Sequence, residues 1–184
     1  MEIKISYERY EQIKRMVVDM FVNYEVTCVP INAFEIAYKM GITVIPYSMF
    51  PPSTNKLLLK KSTDCFSVED ATGKWWIFYN NIENYGRVNN TIMHELGHII
   101  LDHSEDSDLA EAEVRFFAKY ALVPPPLVLK MGISDYTQII TTFDVSTEAA
   151  KNAWDYFCKW LNYSGKHYFD YEKALLKQFN MVSA

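Results

Sequence analysis

The chain has 184 residues, which is enough for one ordinary globular domain and too few for two comfortable ones. Hydrophobic residues make up 49% of it and charged residues 22%, a balance that excludes a disordered or low-complexity chain. The formal net charge of −5 argues against nonspecific binding to nucleic acids or anionic membranes, because both depend on a basic surface.

The cysteines and the N-terminal sequence predict a cytoplasmic location. Cys28, Cys65 and Cys158 are widely spaced and form no CxxC pair, so we expect buried, reduced thiols rather than a disulfide framework. The N-terminal residues alternate charged and apolar side chains and contain no signal-peptide core. The longest uncharged stretch, residues 41–55, contains three prolines, so we expect no membrane helix there and no membrane partner.

The first half of the chain predicts two helices followed by short strands. Apolar residues recur at helical spacing between about residues 7 and 24, and Asn32 can cap a second helix that ends at Gly41. Strand candidates follow at residues 42–45, 56–59, 65–68 and 75–79, with a turn at residues 70–73. The aromatic strand at 75–79 could be an edge strand that holds an extended substrate, although its side chains could equally cover the core.

The second half predicts helices. Asn89 or Asn90 can cap a helix that runs to about Leu101, and Ser107 or Asp108 can cap another that runs to about residue 122 and stops at the prolines of 124–126. A later helix is expected over about residues 147–161, followed by a tyrosine-rich tail of uncertain role at 162–184. We therefore predict a single α+β domain over residues 1–184, with helices around a small, mostly antiparallel sheet.

Three histidines lie close together in the first of these later helices. His94 and His98 are four residues apart, so their imidazoles project from one helix face and can bind one ion. Glu95 follows His94 and completes an HExxH pattern. His103 ends the helix, where a solvent-exposed imidazolium suits the helix dipole; a role beside the metal is the alternative.

The HExxH pattern has a chemical interpretation. Neutral imidazoles suit zinc, and a zinc ion held by three protein ligands keeps a position for water, whose pKa it lowers towards neutrality. Glu95 can then act as the general base. The same spacing could belong to histidines that are merely packed or solvated, but a buried helix must find partners for such polar groups, and a metal supplies them.

The third ligand must come from elsewhere in the chain. Position 101 is Leu and position 104 is Ser, which excludes the metzincin pattern, and the surroundings of Cys65 do not fit a deformylase-like site. A glutamate from the next helix remains, and both Glu111 and Glu113 are candidates. Helical spacing places Glu113 among large apolar side chains, while Glu111 could instead cap its own helix.

Two helix motifs make the chain similar to a known family. HELGHIILDH, followed by a helix of the form ExExxxFAxxxLxP, resembles the ImmA/IrrE metallopeptidases. The resemblance implies a zincin-like fold, one zinc ion per chain, His94 and His98 as ligands, Glu95 as general base and Glu111 as the third ligand. Arg115 stands at the position where the family usually has Asn, so it could orient a carboxylate or bind substrate instead.

These observations predict a zinc-dependent endopeptidase that hydrolyses a peptide bond in a specific partner protein. The resemblance implies that the partner is a helix-turn-helix transcriptional repressor of a phage or mobile element. The alternative is a regulatory binding module that keeps its zinc site and acts by stoichiometric binding. Direct DNA binding is not expected, because the N-terminal helices present no basic recognition face. Manganese or cobalt could also occupy such ligands.

Overall fold

The computed structural model describes residues 4–103, 105, 107–164 and 167–181. Its helices are α1 (Tyr7–Asn23), α2 (Ala33–Lys39), α3 (Pro52–Lys61), α4 (Tyr85–Ile100), α5 (Asp108–Leu122), α6 (Pro125–Lys130), α7 (Tyr136–Phe143), α8 (Thr147–Ser164) and α9 (Asp170–Gln178). Its strands are β1 (Thr43–Pro46), β2 (Cys65–Glu69) and β3 (Trp75–Tyr79). The α+β class is confirmed.

The N-terminal helices begin at the caps that their sequences suggest. Ser6 Oγ accepts a hydrogen bond from Arg9 N at the start of α1, and Asn32 Oδ1 accepts from two backbone N–H groups at the start of α2. Gly41, with φ of +76°, follows α2 in the left-handed conformation that glycine adopts easily. Both predicted helices are therefore confirmed to within two residues.

The three-stranded sheet has the order β1-β3-β2. Strand β3 pairs in parallel with β1 and antiparallel with β2, so the sheet is mixed rather than mostly antiparallel. The prediction that β3 is an edge strand is wrong, because both of its sides are paired. The edge strand next to α4 is β2, which pairs with β3 on one side only.

Residues 56–59 were expected to form a strand and instead lie within α3. The reason is local: Pro52 occupies the first helical turn, where its missing N–H is harmless, and leucines and lysines are good helix formers. Lys60 and Lys61 also lie in the last turn, where positive charge suits the helix dipole. No residue of α3 is buried, so packing plays little part in this choice.

Helix α4 begins one turn earlier than predicted. Its N-cap is Asn84, whose Oδ1 accepts a hydrogen bond from Arg87 N, so the prediction of Asn89 or Asn90 as the cap is wrong. Asn89 is buried inside the helix and joins it to α2: its Oδ1 accepts from Ala33 N at 2.8 Å and its Nδ2 donates to Ile31 O at 2.9 Å. A buried polar side chain with both functions satisfied fixes the position of α2.

The C-terminal half contains more helix than predicted. Helix α5 matches its predicted bounds, with Ser107 as the cap, and α8 runs slightly past its predicted end. Helices α6 and α7 fill the stretch that the sequence left unassigned, and α9 forms within the predicted tail. Leu175 and Leu176 of α9 are buried in the core, where α9 packs against α1.

A set of buried polar residues, which we call the α1–α9 polar cluster, joins α1, α8 and α9. Its members are Glu11, Lys14, Trp160, Tyr171 and Glu172. Lys14 Nζ and Tyr171 Oη each donate to a different oxygen of Glu11, at 2.6 and 2.7 Å. Trp160 Nε1 donates to Glu172 Oε1 at 2.8 Å, and the Phe169 backbone N–H donates to Glu172 Oε2. Each carboxylate oxygen therefore has a donor.

Helices α4 and α5 pack at very close range because Gly97 faces α5. A Cβ atom at Gly97 would lie 3.0 Å from Phe117 Cδ1 and 3.4 Å from Val114 Cβ, which is closer than side chains normally pack. Glycine thus allows the two helices that carry the motifs to approach each other.

Two further expectations can be compared with the structure. Cys65 is buried and Cys158 is partly buried, but Cys28 is exposed, so the expectation of three buried thiols is wrong for Cys28. Within the part of the chain that the structure describes, no helix combines the length and the apolar character needed to cross a membrane.

Candidate metal centre

The histidine pair lies on the rim of the buried face of α4. Ile92, Met93 and Leu96 bury that helix in the core, and His94 and His98 project from the adjoining face, one turn apart. Their Nε2 atoms are 3.3 Å apart. Two nitrogen atoms with lone pairs are therefore directed at one small region of space.

Glu111, in the first turn of α5, completes the group that we call the inner cluster. Its Oε1 lies 3.3 Å from His98 Nε2 and its Oε2 lies 3.6 Å from His94 Nε2. The three side chains could hold a metal ion. Ligands of a tetrahedral zinc ion at 2.0–2.1 Å lie about 3.3–3.4 Å from one another. The two nitrogen atoms are at this spacing, and the Glu111 oxygens lie within a few tenths of an ångström of it.

The electrostatics around His94 favour its neutral imidazole. Burial lowers the pKa of His94, and this effect is the largest on that group. The Glu111 carboxylate raises the same pKa, while the nearby charges of His98 and Arg115 lower it. Because neutral imidazole is the form with a free lone pair, a lowered pKa keeps His94 available to a metal at neutral pH.

Glu95 follows His94 on α4 and has a partner outside the inner cluster. It is buried, and its Oε2 accepts a hydrogen bond from Ser67 Oγ of the edge strand β2 at 2.7 Å. Burial raises the pKa of Glu95, whereas the Ser67 hydrogen bond lowers it. Sequence reasoning missed Ser67, since no motif distinguishes a serine in a strand that is distant along the chain.

Glu113 lies among different partners from Glu111. Its side chain is 7% exposed, against 41% for Glu111, and its Oε2 accepts from Arg9 of α1 and lies 3.0 Å from His103 Nε2. The hydrogen bond from Arg9 is the largest of the influences that lower the pKa of Glu113. We call His103, Glu113 and Arg9 the outer cluster. Glu113 is not among the residues that could hold the ion.

The outer cluster contacts the His98 ring through Nδ1, while Nε2 of the same ring faces Glu111. His103 Nδ1 lies 3.3 Å from His98 Nδ1, so the two clusters are joined through one imidazole pair. If His98 keeps the lone pair on Nε2, its Nδ1 carries the proton and donates to His103, which in turn donates from Nε2 to Glu113. In this series of hydrogen bonds from His98 to Glu113, each imidazole nitrogen is then either a donor or an acceptor, and none is assigned both roles.

The structure corrects two expectations about neighbouring residues. The solvent-exposed role for His103 is wrong, because its side chain is only 11% exposed and lies between His98 and Glu113. Arg115 is exposed, and its Nε donates to the main-chain oxygen of Glu111 at 3.0 Å, so it contacts the backbone of that residue rather than its carboxylate. Arg9, in the outer cluster, had no sequence signal at all.

One protein-family model matches the part of the chain that contains most of these residues. The family model Peptidase_M78, described as the IrrE N-terminal-like domain, matches residues 37–155. The matched span is well over half of the chain and contains the inner cluster, Glu95 and two members of the outer cluster, whereas Arg9 precedes it. No curated protein matches the chain.

Proposed function

The chain belongs to the Peptidase_M78 family of metallopeptidases, and from that premise we propose that it is a zinc-dependent endopeptidase. In this proposal His94, His98 and Glu111 hold one zinc ion and Glu95 is the general base. The observation that supports it best is the inner cluster itself: three groups that could hold one metal ion, beside a buried glutamate that is not one of them.

Zinc, when bound, would supply Lewis-acid activation of water and of the scissile carbonyl group. Glu95 would accept the proton of the attacking water on a carboxylate oxygen and then pass it to the leaving amine nitrogen. Burial suits this role, because it raises the pKa of the carboxylic acid towards the range in which it can both accept and release a proton. Ser67 would hold the carboxylate in one orientation through its hydroxyl group.

The open edge of β2 supports an extended substrate. Ser67 places this strand directly beside Glu95, and within the residues that the structure describes β2 pairs only with β3. An extended peptide could add to this edge by main-chain hydrogen bonds, which would bring its carbonyl groups past the inner cluster. In this proposal β2, and not β3, is the edge strand that binds an extended substrate.

We further propose that the substrate is a specific partner protein, a helix-turn-helix repressor of a phage or mobile element. This part of the proposal rests on the ImmA/IrrE resemblance. We also propose that residues 1–184 form one domain, because α9 packs on α1 and α1 contributes Arg9 to the outer cluster.

Glu95→Gln tests the proposed mechanism. The substrate for this test is a repressor encoded next to the gene of this protein. In the presence of zinc, we expect the wild-type chain to cut that repressor into two fragments, which mass spectrometry detects. Glu95→Gln should bind zinc with nearly unchanged affinity and lower the cleavage rate by at least about 10²-fold, since general-base catalysis contributes about 10²–10⁴-fold. Glu35→Gln, a change at an exposed glutamate of α2, is the matched control.

Two outcomes would contradict the proposal. Cleavage that survives Glu95→Gln would remove Glu95 from the mechanism. A stable complex of the wild-type chain with the repressor and no fragments would instead support the alternative, a binding module that retains its metal.

A further inference from the structure

A groove of about 970 Å³ lies between α4, α5 and α8, the first two of which also carry the inner cluster. Asn90 lines it from α4, one turn before His94, and Arg115 lines it from α5, one turn after Glu111. A peptide that extends away from the inner cluster could therefore enter this groove without leaving the surface of the same helices.

Three of the cations that line the groove form no ion pair among the described residues. Arg115, Lys119 and Lys159 form no ion pair with any carboxylate in the described part of the chain. Arg87, which also lines the groove, is different, because Asp64 and Glu83 both pair with it. Three unpaired cations in one concavity are notable in a chain whose net charge is −5.

Lys119 is the most constrained of these cations. It is only partly exposed, and its Nζ lies 4.8 Å from the centroid of the Tyr156 ring and 5.8 Å from that of Phe116. Burial lowers the pKa of Lys119, and the nearby charge of Lys159 lowers it further. The aromatic rings stabilise the ammonium group only in part. An anion in the groove would stabilise it further and so oppose the destabilisation by burial and by the charge of Lys159.

The acidic residues of the groove lie on α8. Glu148 and Asp155 line this wall, are themselves exposed, and form no ion pair with the three cations. Lys159 lies on α8 with these carboxylates, whereas Arg115 and Lys119 lie on α5, the helix that carries Glu111. An anionic group would bind on the α5 side, within reach of both.

We propose that this groove is a specificity subsite for an acidic side chain of the peptide substrate, with Lys119 and Arg115 as its contacts. The proposal rests on the proposed function, because the subsite selects the segment that is presented to the inner cluster. A carboxylate there would form charge-assisted hydrogen bonds in a partly desolvated setting.

A synthetic decapeptide library with randomised positions serves as the probe. The library is passed over immobilised Glu95→Gln protein, which should not cleave it, and the retained peptides are sequenced by mass spectrometry. We expect Asp and Glu to be enriched about three- to ten-fold over the input, which corresponds to a part-exposed charge-assisted contact.

Added substitutions assign that preference to the groove. Arg115→Gln, which changes an exposed residue and should not disturb folding, is expected to reduce the enrichment, and Arg115→Gln with Lys119→Gln to remove it. The matched control is Lys60→Gln with Lys177→Gln, which removes two exposed cations outside the groove. Circular dichroism checks that each variant is folded.

The outcomes separate this proposal from the proposed function. Retained peptides without acidic enrichment, enrichment that survives the double substitution, or no retained peptides would each overturn the subsite. Cleavage of the same library by the wild-type chain, without acidic preference, would overturn the subsite and leave the peptidase. Acidic retention without any cleavage by the wild-type chain would support the subsite and count against the peptidase.

Discussion

The inner cluster and the α1–α9 polar cluster both bring ionisable side chains together, but the hydrogen bonds and ion pairs that those side chains make are different. In the α1–α9 polar cluster, every oxygen of Glu11 and Glu172 accepts a hydrogen bond. In the inner cluster, the two Nε2 atoms and the carboxylate of Glu111 face one another, and no lysine or arginine of the described residues forms an ion pair with that carboxylate. Saturated groups stabilise a fold, whereas groups left free to coordinate are available to a ligand.

The difference predicts that the two clusters can be disabled separately. Changes in the inner cluster should affect metal binding and leave stability alone. Changes in the α1–α9 polar cluster should do the reverse. A variant that affected both properties equally would contradict this separation.

The largest effect is expected for His98→Ala. Loss of one protein ligand should weaken zinc binding by about 10²- to 10³-fold, because a bound structural zinc ion is worth roughly 10–16 kcal/mol over its ligand set. The thermal midpoint of the metal-free protein should not fall. Chelator competition and thermal unfolding measure the two quantities, and His167→Ala, at an exposed histidine, is the control. Unchanged zinc affinity would remove His98 from the site.

Lys14→Met should give the opposite result. It leaves Glu11 without its ion-pair partner in a place where both side chains are nearly buried, which costs about 3 kcal/mol of unfolding free energy. The thermal midpoint should fall by roughly 6–12 °C for a chain of this size, with zinc affinity unchanged. The control is Lys173→Met, whose exposed pair with Asp170 should contribute almost nothing.

His103→Ala tests the connection behind the inner cluster. Because His103 holds the far side of the His98 ring, its loss should weaken zinc binding by about 10- to 100-fold, less than the loss of His98 itself. His103→Gln should recover part of that affinity, since an amide can both accept from His98 and donate to Glu113. Nitrogen chemical shifts of His98 would report the change in ring tautomer. Equal affinities for the Ala and Gln variants would argue against an orienting role.

The smallest expected effect is a pH dependence in the α1–α9 polar cluster. Burial raises the pKa of Glu172 above its ordinary value of 4.5, so the folded state binds this proton more tightly than the unfolded state. Its contribution to stability is complete below the unfolded pKa and is lost as pH rises through the folded pKa. Urea unfolding should therefore show that the wild-type advantage over Glu172→Gln shrinks from pH 5 to pH 8. An advantage that is constant with pH would contradict the assignment.

Local signals in the sequence predicted the elements that bear the motifs. The HExxH spacing, the Ser107 cap and the prolines after α5 are all short-range features, and both the end of α4 and the bounds of α5 lie where they were expected. The prediction of a strand at residues 56–59 was wrong because a short run of leucines between lysines is compatible with either a strand or a helix. The predicted start of α4 was wrong because the sequence offers several asparagines that could cap the helix. Asn89 is not the cap, since its side chain accepts a hydrogen bond from the backbone at the start of α2.

The parts of the site that the sequence did not predict come from long-range contacts. Ser67 reaches Glu95 across the chain from β2, and Arg9 reaches Glu113 from the N-terminal helix. Hydrophobic periodicity does not encode such pairings, because each partner sits in an element whose own pattern is complete without it. The choice between Glu111 and Glu113 was open for the same reason: the partner of Glu113 is on another helix.

The position of the inner cluster along the chain has a consequence for the order of folding. Its side chains lie between residues 94 and 111, so bringing them together closes a short loop at a small cost in chain entropy. The contact of Glu11 with Tyr171 closes almost the whole chain and pays the larger cost. Pulsed hydrogen exchange during refolding should show protection in α4 and α5 before α1 and α9. We therefore expect the proposed metal ligands to meet early, and the outer cluster, which needs Arg9, to be completed only when α1 docks.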